Sequence, residues 1–308
     1  MKYFNDLSEF NESRASAITI GKFDGLHAGH RLLVADIVSK KEVGMTPLLF
    51  SFSNSPRQFI EKTGYKMILT SAERIEVVES LGVDYFAEVP FDEAMMQIEA
   101  EDFIKLLIEK LNMKHICVGE DFRFGHFGKG NIEVLRECSE KYGFTLSVIK
   151  KLRHGDEVIS STYIRQLISE GDIALADELL RSDYKIGGQV VHGKALGRTL
   201  GIPTINILPS SEKLLPKFGV YYTTVILDGK KYPSITNVGV KPTVTDEKRE
   251  IVESHLLDVS GDFYGKDVEI LFHDKLRDEM KFSDIDELQK RMQQDVLSGR
   301  DYFSRHSL

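Results

Sequence analysis

Ile18-Thr19-Ile20-Gly21-Lys22-Phe23-Asp24-Gly25-Leu26-His27-Ala28-Gly29-His30 is the stretch that decides the fold of the first half of this chain. A β-branched run, Ile18 to Ile20, is followed at once by glycines, two histidines three apart and an apolar-periodic segment. That is the pattern of a strand, a tight turn and a helix start. Such a turn offers main-chain N–H groups and the positive end of a helix dipole, which suit an anion and best of all a phosphate. The two histidines add donors that titrate near neutrality. Gly21, Phe23, Gly25 and Gly29 are therefore candidate phosphate-binding positions beside His27 and His30. Zinc is the competing reading, but it asks for histidines at i and i+4 of a helix or for a further Cys/His pair, and neither is present.

Outward from this turn the pattern alternates. Strands are expected at 17–20, 47–52, 84–89, 115–118 and 145–149, with helices at 29–41, 72–81, 100–111 and 132–142. In the third helix Phe103, Leu106 and Leu107 share a face, and Asn112 is its stop signal. Alternating strands and helices predict an α/β doubly wound, mainly parallel sheet, with ligands at the strand C-termini where Gly21 to His30 falls.

Near residue 182 the period changes. Segments 184–192, 220–227, 231–238, 251–259 and 268–272 are strand-like, and Asp228-Gly229 is a hairpin signal. A mainly antiparallel β-barrel is expected, because closure removes unpaired edges. A C-terminal helix over 282–302 follows, with Ser283 as its N-cap and Ile285, Leu288, Met292 and Val296 as its apolar stripe. The expected domains are 1–182 and 183–308.

With 308 residues, 42% hydrophobic and 29% charged, the chain has the composition of an ordinary globular protein. Its formal charge of −8 argues against a nucleic-acid surface. No apolar run reaches the roughly 18 residues of a membrane span, and Met1 to Ser16 shows no export signal. Two cysteines, Cys117 and Cys138, form no framework, which points to a reducing cytoplasm.

A second anion-binding pattern is Ile159-Ser160-Ser161-Thr162-Tyr163-Ile164-Arg165. Ser160 and Ser161 read as helix caps; with Thr162 and the donor fork of Arg165 they also make a phosphate site. Two such turns suit a triphosphate. Taken with Val118-Gly119-Glu120-Asp121-Phe122-Arg123-Phe124-Gly125, these motifs resemble the HxGH nucleotidyltransferases, and specifically the adenylyltransferase half of the bacterial bifunctional riboflavin kinase/FAD synthetases. The resemblance extends over nearly the whole chain. It implies that FMN attacks the α-phosphorus of ATP to give FAD and pyrophosphate, by positioning and charge neutralisation shared with Mg²⁺. His27 and His30 would take the α- and β-phosphates, and Ser160, Thr162 and Arg165 the triphosphate tail. Asp121 and Phe124 would contact flavin, while Phe122 and Phe124 read equally well as core. Asp24 reads as a fastener of the turn. Lys22 stands where the family commonly has Asn, and Asn54, in Phe52-Ser53-Asn54-Ser55-Pro56, stands where it has Pro. The second departure predicts a looser loop.

In the second half, Gly188-Gln189-Val190-Val191-His192-Gly193-Lys194-Ala195 nearly spells a P-loop. It fails at Ala195, where a hydroxyl is needed, and no helical pattern follows. The same residues run into Gly197-Arg198-Thr199-Leu200-Gly201-Ile202-Pro203-Thr204-Ile205-Asn206, which resembles the flavokinase signature. Gly193 and Gly197 let backbone approach phosphate, and Thr204 and Asn206 are oxygen ligands suited to Mg²⁺. By itself the stretch reads equally as a glycine-rich hairpin. Glu253 stands in an apolar-alternating strand, where a carboxylate is unusual. The resemblance makes it the general base for the riboflavin 5′-hydroxyl. Phe218-Gly219-Val220-Tyr221 and Asn237 to Thr243 complete the family pattern. His255 and Arg277 read mainly as structural, with Arg277 kept as a flavin-side candidate. At the junction Arg181-Ser182-Asp183-Tyr184 replaces the usual Gly-Arg-Pro-Tyr.

The resemblance thus implies ATP, riboflavin, FMN and FAD as ligands, with no nucleic acid or membrane partner. The alternatives are a paralogue with one activity and a non-catalytic flavin-binding regulator.

Overall fold

Residues 1–54, 66–193, 196–242 and 248–306 are described by the computed structural model. Ser55, Pro56, Lys194, Ala195 and Thr243, named above, lie outside them. The chain divides into two compact units, Met1–Ser161 and Thr162–Leu308.

The first unit is built on a six-stranded parallel sheet of β1 (Lys2–Phe4), β2 (Ser16–Ile20), β3 (Thr46–Phe52), β4 (Tyr85–Val89), β5 (Met113–Gly119) and β6 (Thr145–Ile149), in the order β1-β4-β3-β2-β5-β6. Alternate side chains leave each strand on opposite faces. Ile18, Ile20, Leu48, Phe50, Ile116 and Val118 therefore enter one apolar cluster, while Ala17, Leu49, Phe86 and Cys117 enter the other. Helices α1 (Ala28–Ser39) and α2 (Ser71–Ser80) cover the second cluster through Leu33, Val34, Ile37 and Val78. After the short α3 (Glu93–Gln97), α4 (Ala100–Leu111) and α5 (Ile132–Tyr142) cover the first cluster through Phe103, Leu107, Leu111 and Leu135. This is the doubly wound sheet expected. From β2 the chain winds one way through β3 and β4 and then returns to β2's other side with β5. The C-terminal end of β2 is therefore the topological switch point, where open α/β sheets bind ligands. Asn112 ends α4 in the left-handed conformation, as its stop signal predicts. The edge strand β1 was not legible, because three residues in a polar segment carry no period. A two-residue hairpin pair, β7 (Arg153–His154) and β8 (Glu157–Val158), closes the unit.

The second unit opens with α6 (Ser161–Glu170), whose first residue is shared with the first unit, and α7 (Ile173–Leu180). The period groups these helices with the preceding βα units, but they pack with the barrel: Lys217 N–H donates to the Ile168 carbonyl at 3.1 Å. The junction is fastened within this unit, since Tyr184 N–H donates to Asp177 Oδ1 at 2.6 Å and the Tyr184 hydroxyl donates to the Leu214 carbonyl. The barrel is closed and antiparallel, in the order β10 (Ile205–Ile207), β13 (Lys248–Leu256), β12 (Lys230–Pro242), β11 (Gly219–Leu227), β14 (Asp267–Asp278) and β9 (Lys185–Val191). Asp228 and Gly229, both with positive φ, make the predicted hairpin. One helical turn, α8 (Leu196–Thr199), follows Ala195 where no helical pattern was seen. Tyr221, Thr223, Thr236, Val252 and Ser254 are fully buried on one barrel face. The alternate residues face α9 (Ile285–Arg305), against which Val220, Ile235 and Leu257 pack through Val296 and Phe303. Asp284, not Ser283, is the N-cap of α9: its carboxylate accepts from Glu287 N–H at 2.8 Å. Ser283 sits one residue outside and donates to the Glu287 carboxylate, so the two residues share the capping work.

Candidate active sites

The turn after β2 is held from several sides. Gly21 N–H bonds the Phe50 carbonyl at 3.1 Å. Asp24 is fully buried and its Oδ1 accepts from Ile68 N–H at 2.9 Å, so it does fasten the turn. Its carbonyl accepts from the Ser161 hydroxyl at 2.7 Å. Phe23 and Leu26 are both fully buried and have φ of 50° and 47°, with Gly25 at 93° between them. Two bulky residues in the left-handed region are uncommon and persist only where their surroundings hold them.

His27 is the N-cap of α1, and its Nδ1 accepts from His30 N–H at 3.4 Å. The two imidazoles stack at 3.7 Å, and the Phe23 ring meets His30 edge-on at 5.1 Å. Burial lowers the His27 pKa to about 4, and burial together with His27 lowers that of His30 well below its ordinary 6.5. Both rings are thus neutral near pH 7. His30 Nδ1 is buried with no hydrogen-bond partner among the described residues. Gly29 lies in the first turn of α1. Arg31, which sequence reasoning passed over, donates to the Leu26 carbonyl at 3.1 Å and so braces the same turn.

Beside the ends of β2 and β3 is an apolar cavity of about 360 Å³. Ile20, Phe52, Phe91, Met95, Phe124 and Phe127 are among its lining residues. Phe124 is 7% exposed, stacks on Phe122 at 5.4 Å and belongs to the apolar cluster, in keeping with the core reading, while also lining this cavity. Asp121 lies outside this lining, exposed and paired with Lys151 at 2.6 Å. Phe91 and Met95 escaped sequence reading although they follow a strand end, where sites form. The loop that follows Asn54 lies outside the described residues, but Asn54 itself is held. Its side-chain amide donates to the Phe91 carbonyl at 2.9 Å, and its oxygen accepts from Phe91 N–H at 2.8 Å. Ser160 immediately precedes α6, while Thr162 and Arg165 belong to the second unit. Burial lowers the Arg165 pKa to about 10, still far above neutrality.

In the second unit, register puts five residues in one row across the barrel: Asn206, Glu253, Asn237, Val220 and Arg277. A cavity of about 280 Å³ lies between α9 and four of this row, Glu253, Asn237, Val220 and Arg277, and is lined also by Gly197, Thr204, Met280, Leu288 and Met292. Thr204 Oγ1 donates to Glu253 Oε1 at 2.6 Å. Asn206 is 5% exposed, and its Oδ1 is buried with no hydrogen-bond partner among the described residues. A Cβ at Gly193 would meet Asn206 Nδ2 at 2.5 Å, and one at Gly197 would meet the Ile202 carbonyl at 2.4 Å. These two glycines therefore serve close approach. Arg277 makes a bidentate pair with Asp295 of α9, 2.7 Å at its shortest, while lining the cavity. His255 Nδ1 bonds the Pro203 carbonyl at 2.8 Å, in keeping with a structural role.

The family model described as FAD synthetase matches residues 9–163, and the one described as riboflavin kinase matches residues 180–303. The chain belongs to the bifunctional riboflavin kinase/FMN adenylyltransferase family. A member of that name from Buchnera aphidicola (subsp. Acyrthosiphon pisum) is 36% identical over 98% of this chain and 97% of its own length. Another from Escherichia coli K12 is 35% identical over 93% and 92%. A crystal structure of a Streptococcus pneumoniae protein described as a macrolide-efflux protein matches with a TM-score of 0.88 and 28% identity, covering 97% of this chain and 98% of that one. In the present chain no helix among the described residues is long and apolar enough to cross a membrane. Within this family, the glycines, Thr204, Asn206 and Glu253 fall in the riboflavin kinase region, and the histidine turn falls in the FAD synthetase region.

Proposed function

We propose that this chain phosphorylates riboflavin to FMN at the barrel site and adenylylates FMN to FAD at the histidine turn, with the functional boundary at 182/183. The observation that carries this reading is the chemical difference between the two phosphate-handling sets. One includes a carboxylate beside a hydroxyl and an amide oxygen unpartnered among the described residues, and the other presents two neutral imidazoles in a turn whose carboxylate, Asp24, is engaged by Ile68 N–H.

In the kinase step the 5′-hydroxyl of riboflavin must lose a proton as its oxygen attacks the γ-phosphorus of ATP and ADP departs. Glu253 accepts that proton, and the Thr204 hydroxyl orients its carboxylate. Arg277 and the apolar side chains of α9 flank the flavin. Thr204 and Asn206 fit Mg²⁺: both present neutral hard oxygen, and Asn206 Oδ1 has its lone pairs unclaimed among the described residues. When bound, the ion supplies neutralisation of phosphate charge. Gly193 and Gly197 let the main chain approach the phosphates.

In the second step the nucleophile is the phosphate of FMN, already an anion, so no base is required. A phosphate oxygen attacks the α-phosphorus, the bond to the bridging oxygen breaks, and pyrophosphate leaves. His27 and His30 donate hydrogen bonds to phosphoryl oxygens in a largely desolvated turn, where such bonds are strong. Main-chain N–H groups between Gly21 and Gly29, Phe23 and Gly25 included, add to this cradle, while Gly21 shapes it through its own N–H bond to the Phe50 carbonyl. The aromatic cavity at Phe124 takes the isoalloxazine ring. Ser160, Thr162 and Arg165 are assigned to the triphosphate tail on their sequence pattern.

Incubating the protein with riboflavin and MgATP, with chromatography of products, is expected to yield FMN and then FAD. Absence of both under reducing and non-reducing conditions overturns the reading. Supplying FMN directly separates two activities from one, because a single-activity kinase makes no FAD.

A further inference from the structure

Strand β4 reads Tyr85-Phe86-Ala87-Glu88-Val89 and is buried throughout, yet it carries a carboxylate. Glu88 is 2% exposed, and Arg74, in the first turn of α2, is 1% exposed. Removing a carboxylate and a guanidinium from water is costly, so a buried pair of this kind is weak as a source of stability alone. Its connections point elsewhere. Arg74 Nη2 donates to Glu88 Oε1, and the hydroxyl of Tyr3, on the edge strand β1, donates to Glu88 Oε2 at 2.9 Å. The guanidinium lies 5.8 Å from the Phe86 ring centroid, which fixes its plane. The other arm, Arg74 Nη1, donates to the carbonyl of Lys22 at 3.2 Å. Ser51, the register partner of Glu88 on β3, donates to the same carbonyl at 3.4 Å.

Lys22 is the residue immediately before Phe23, whose left-handed backbone places its ring beneath His30. A conformation that a bulky residue adopts so rarely has to be imposed from outside. Downstream the turn is gripped through Asp24; upstream the grip is the Lys22 carbonyl. We propose that the buried Tyr3–Glu88–Arg74 chain is a positioning device for adenylyl transfer, holding the Lys22 carbonyl so that Phe23 and the His27–His30 stack keep their catalytic geometry. Glu88 orients the guanidinium, and Arg74 is a positioning residue that touches no substrate. A charged donor makes a stronger bond to that carbonyl than a neutral one. The inference rests on the reading of Gly21 to His30 as the adenylyl-transfer site.

The test uses the full chain, whose riboflavin kinase activity serves as an internal control. Arg74→Met combined with Glu88→Leu removes both charges and keeps the space filled, so no lone charge is left buried. Expected is a roughly 10–100-fold fall in kcat for FAD formation from supplied FMN, the order seen when catalytic groups are misplaced by about an ångström. Riboflavin kinase activity and cooperative unfolding should be retained, and the His27 and His30 Cε1–H resonances should shift. A purely structural pair would leave the resonances and kcat unmoved, and kcat within about twofold of the parent overturns the proposal. If the double variant fails to fold, Tyr3→Phe, which removes the hydroxyl bonded to Glu88 Oε2 and leaves both buried charges paired, decides. A loss of about threefold or more in kcat supports the device, and an unchanged kcat overturns it. His30→Ala separates this from the underlying reading. If His30→Ala abolishes FAD formation while the double variant is fully active, only the positioning device fails. If His30→Ala is itself fully active, the site reading fails.

Discussion

The two units set out opposite chemistries at their candidate phosphate sites, and the contrast matches the nucleophile each is proposed to use. The barrel site holds a carboxylate in a row of neutral polar side chains, with Thr204 already bonded to Glu253 and Asn206 Oδ1 unclaimed. An alcohol nucleophile needs that carboxylate. The turn after β2 holds two stacked imidazoles, kept neutral by burial, and a left-handed backbone clamped by Asp24 and by Arg74. A phosphate nucleophile needs donors, not a base, and the carboxylate of this turn, Asp24, accepts from Ile68 N–H and fastens the backbone. One site is therefore organised around a proton acceptor on a rigid strand, and the other around a shaped turn at the switch point of a sheet.

The sharpest way to break this contrast is Glu253→Gln, which keeps shape while removing the proton acceptor. FMN formation should fall roughly 10²–10⁴-fold, and FAD formation from supplied FMN should stay at the parent level; parallel chromatographic assays read both. Next in size, His30→Ala should lower FAD formation by roughly 10²–10³-fold and leave riboflavin phosphorylation intact. If each substitution harmed both reactions equally, the assignment of separate chemistries would collapse. A smaller effect tests the unclaimed oxygen. Gly193→Ala drives a Cβ into the Asn206 amide, and the Mg²⁺ concentration for half-maximal kinase rate should rise by roughly 10–100-fold with no change in adenylylation.

The smallest effect concerns the neutral imidazoles. The folded chain protonates His27 only at about pH 4, whereas the unfolded chain does so near 6.5. Between these values the unfolded state binds more protons, so stability rises with pH and is lost as pH falls from 6.5 towards 4. Denaturant melts should show an acid limb to which His27 contributes at most about 3 kcal/mol and His30, likewise lowered by burial, adds. It should flatten in His27→Gln; an unchanged limb would show that the histidine stack is not the group being titrated.

Much of the fold was legible because period is a local property. The alternation of strands and helices to residue 182, the hairpin at Asp228-Gly229 and the stop at Asn112 each depend on neighbours in sequence. What misled the reading was also local. Ser283 looked like the cap of α9 because serine caps helices, but Asp284 takes the position and Ser283 supports it. Other contacts were simply out of local reach: the Asn54 amide bonds Phe91 in both directions across 37 residues. The aromatic cavity was half legible: Phe124 lay in a motif, while Phe91, Met95 and Phe127 did not.

By itself the sequence determined the family, the two architectures and the identities of the candidate phosphate-handling groups, since His27, His30, Thr204, Asn206 and Glu253 sit in short motifs whose spacing carries chemistry. Only the tertiary structure decided how those groups are set. Register across three barrel strands puts Asn206, Glu253 and Asn237 side by side. Burial, not composition, keeps the imidazoles neutral. The Lys22 carbonyl is held by Arg74, 52 residues away, because a helix and four strands bring Tyr3, Lys22, Ser51, Arg74 and Glu88 together. Such contacts join residues with no fixed spacing along the chain, so no local pattern can announce them.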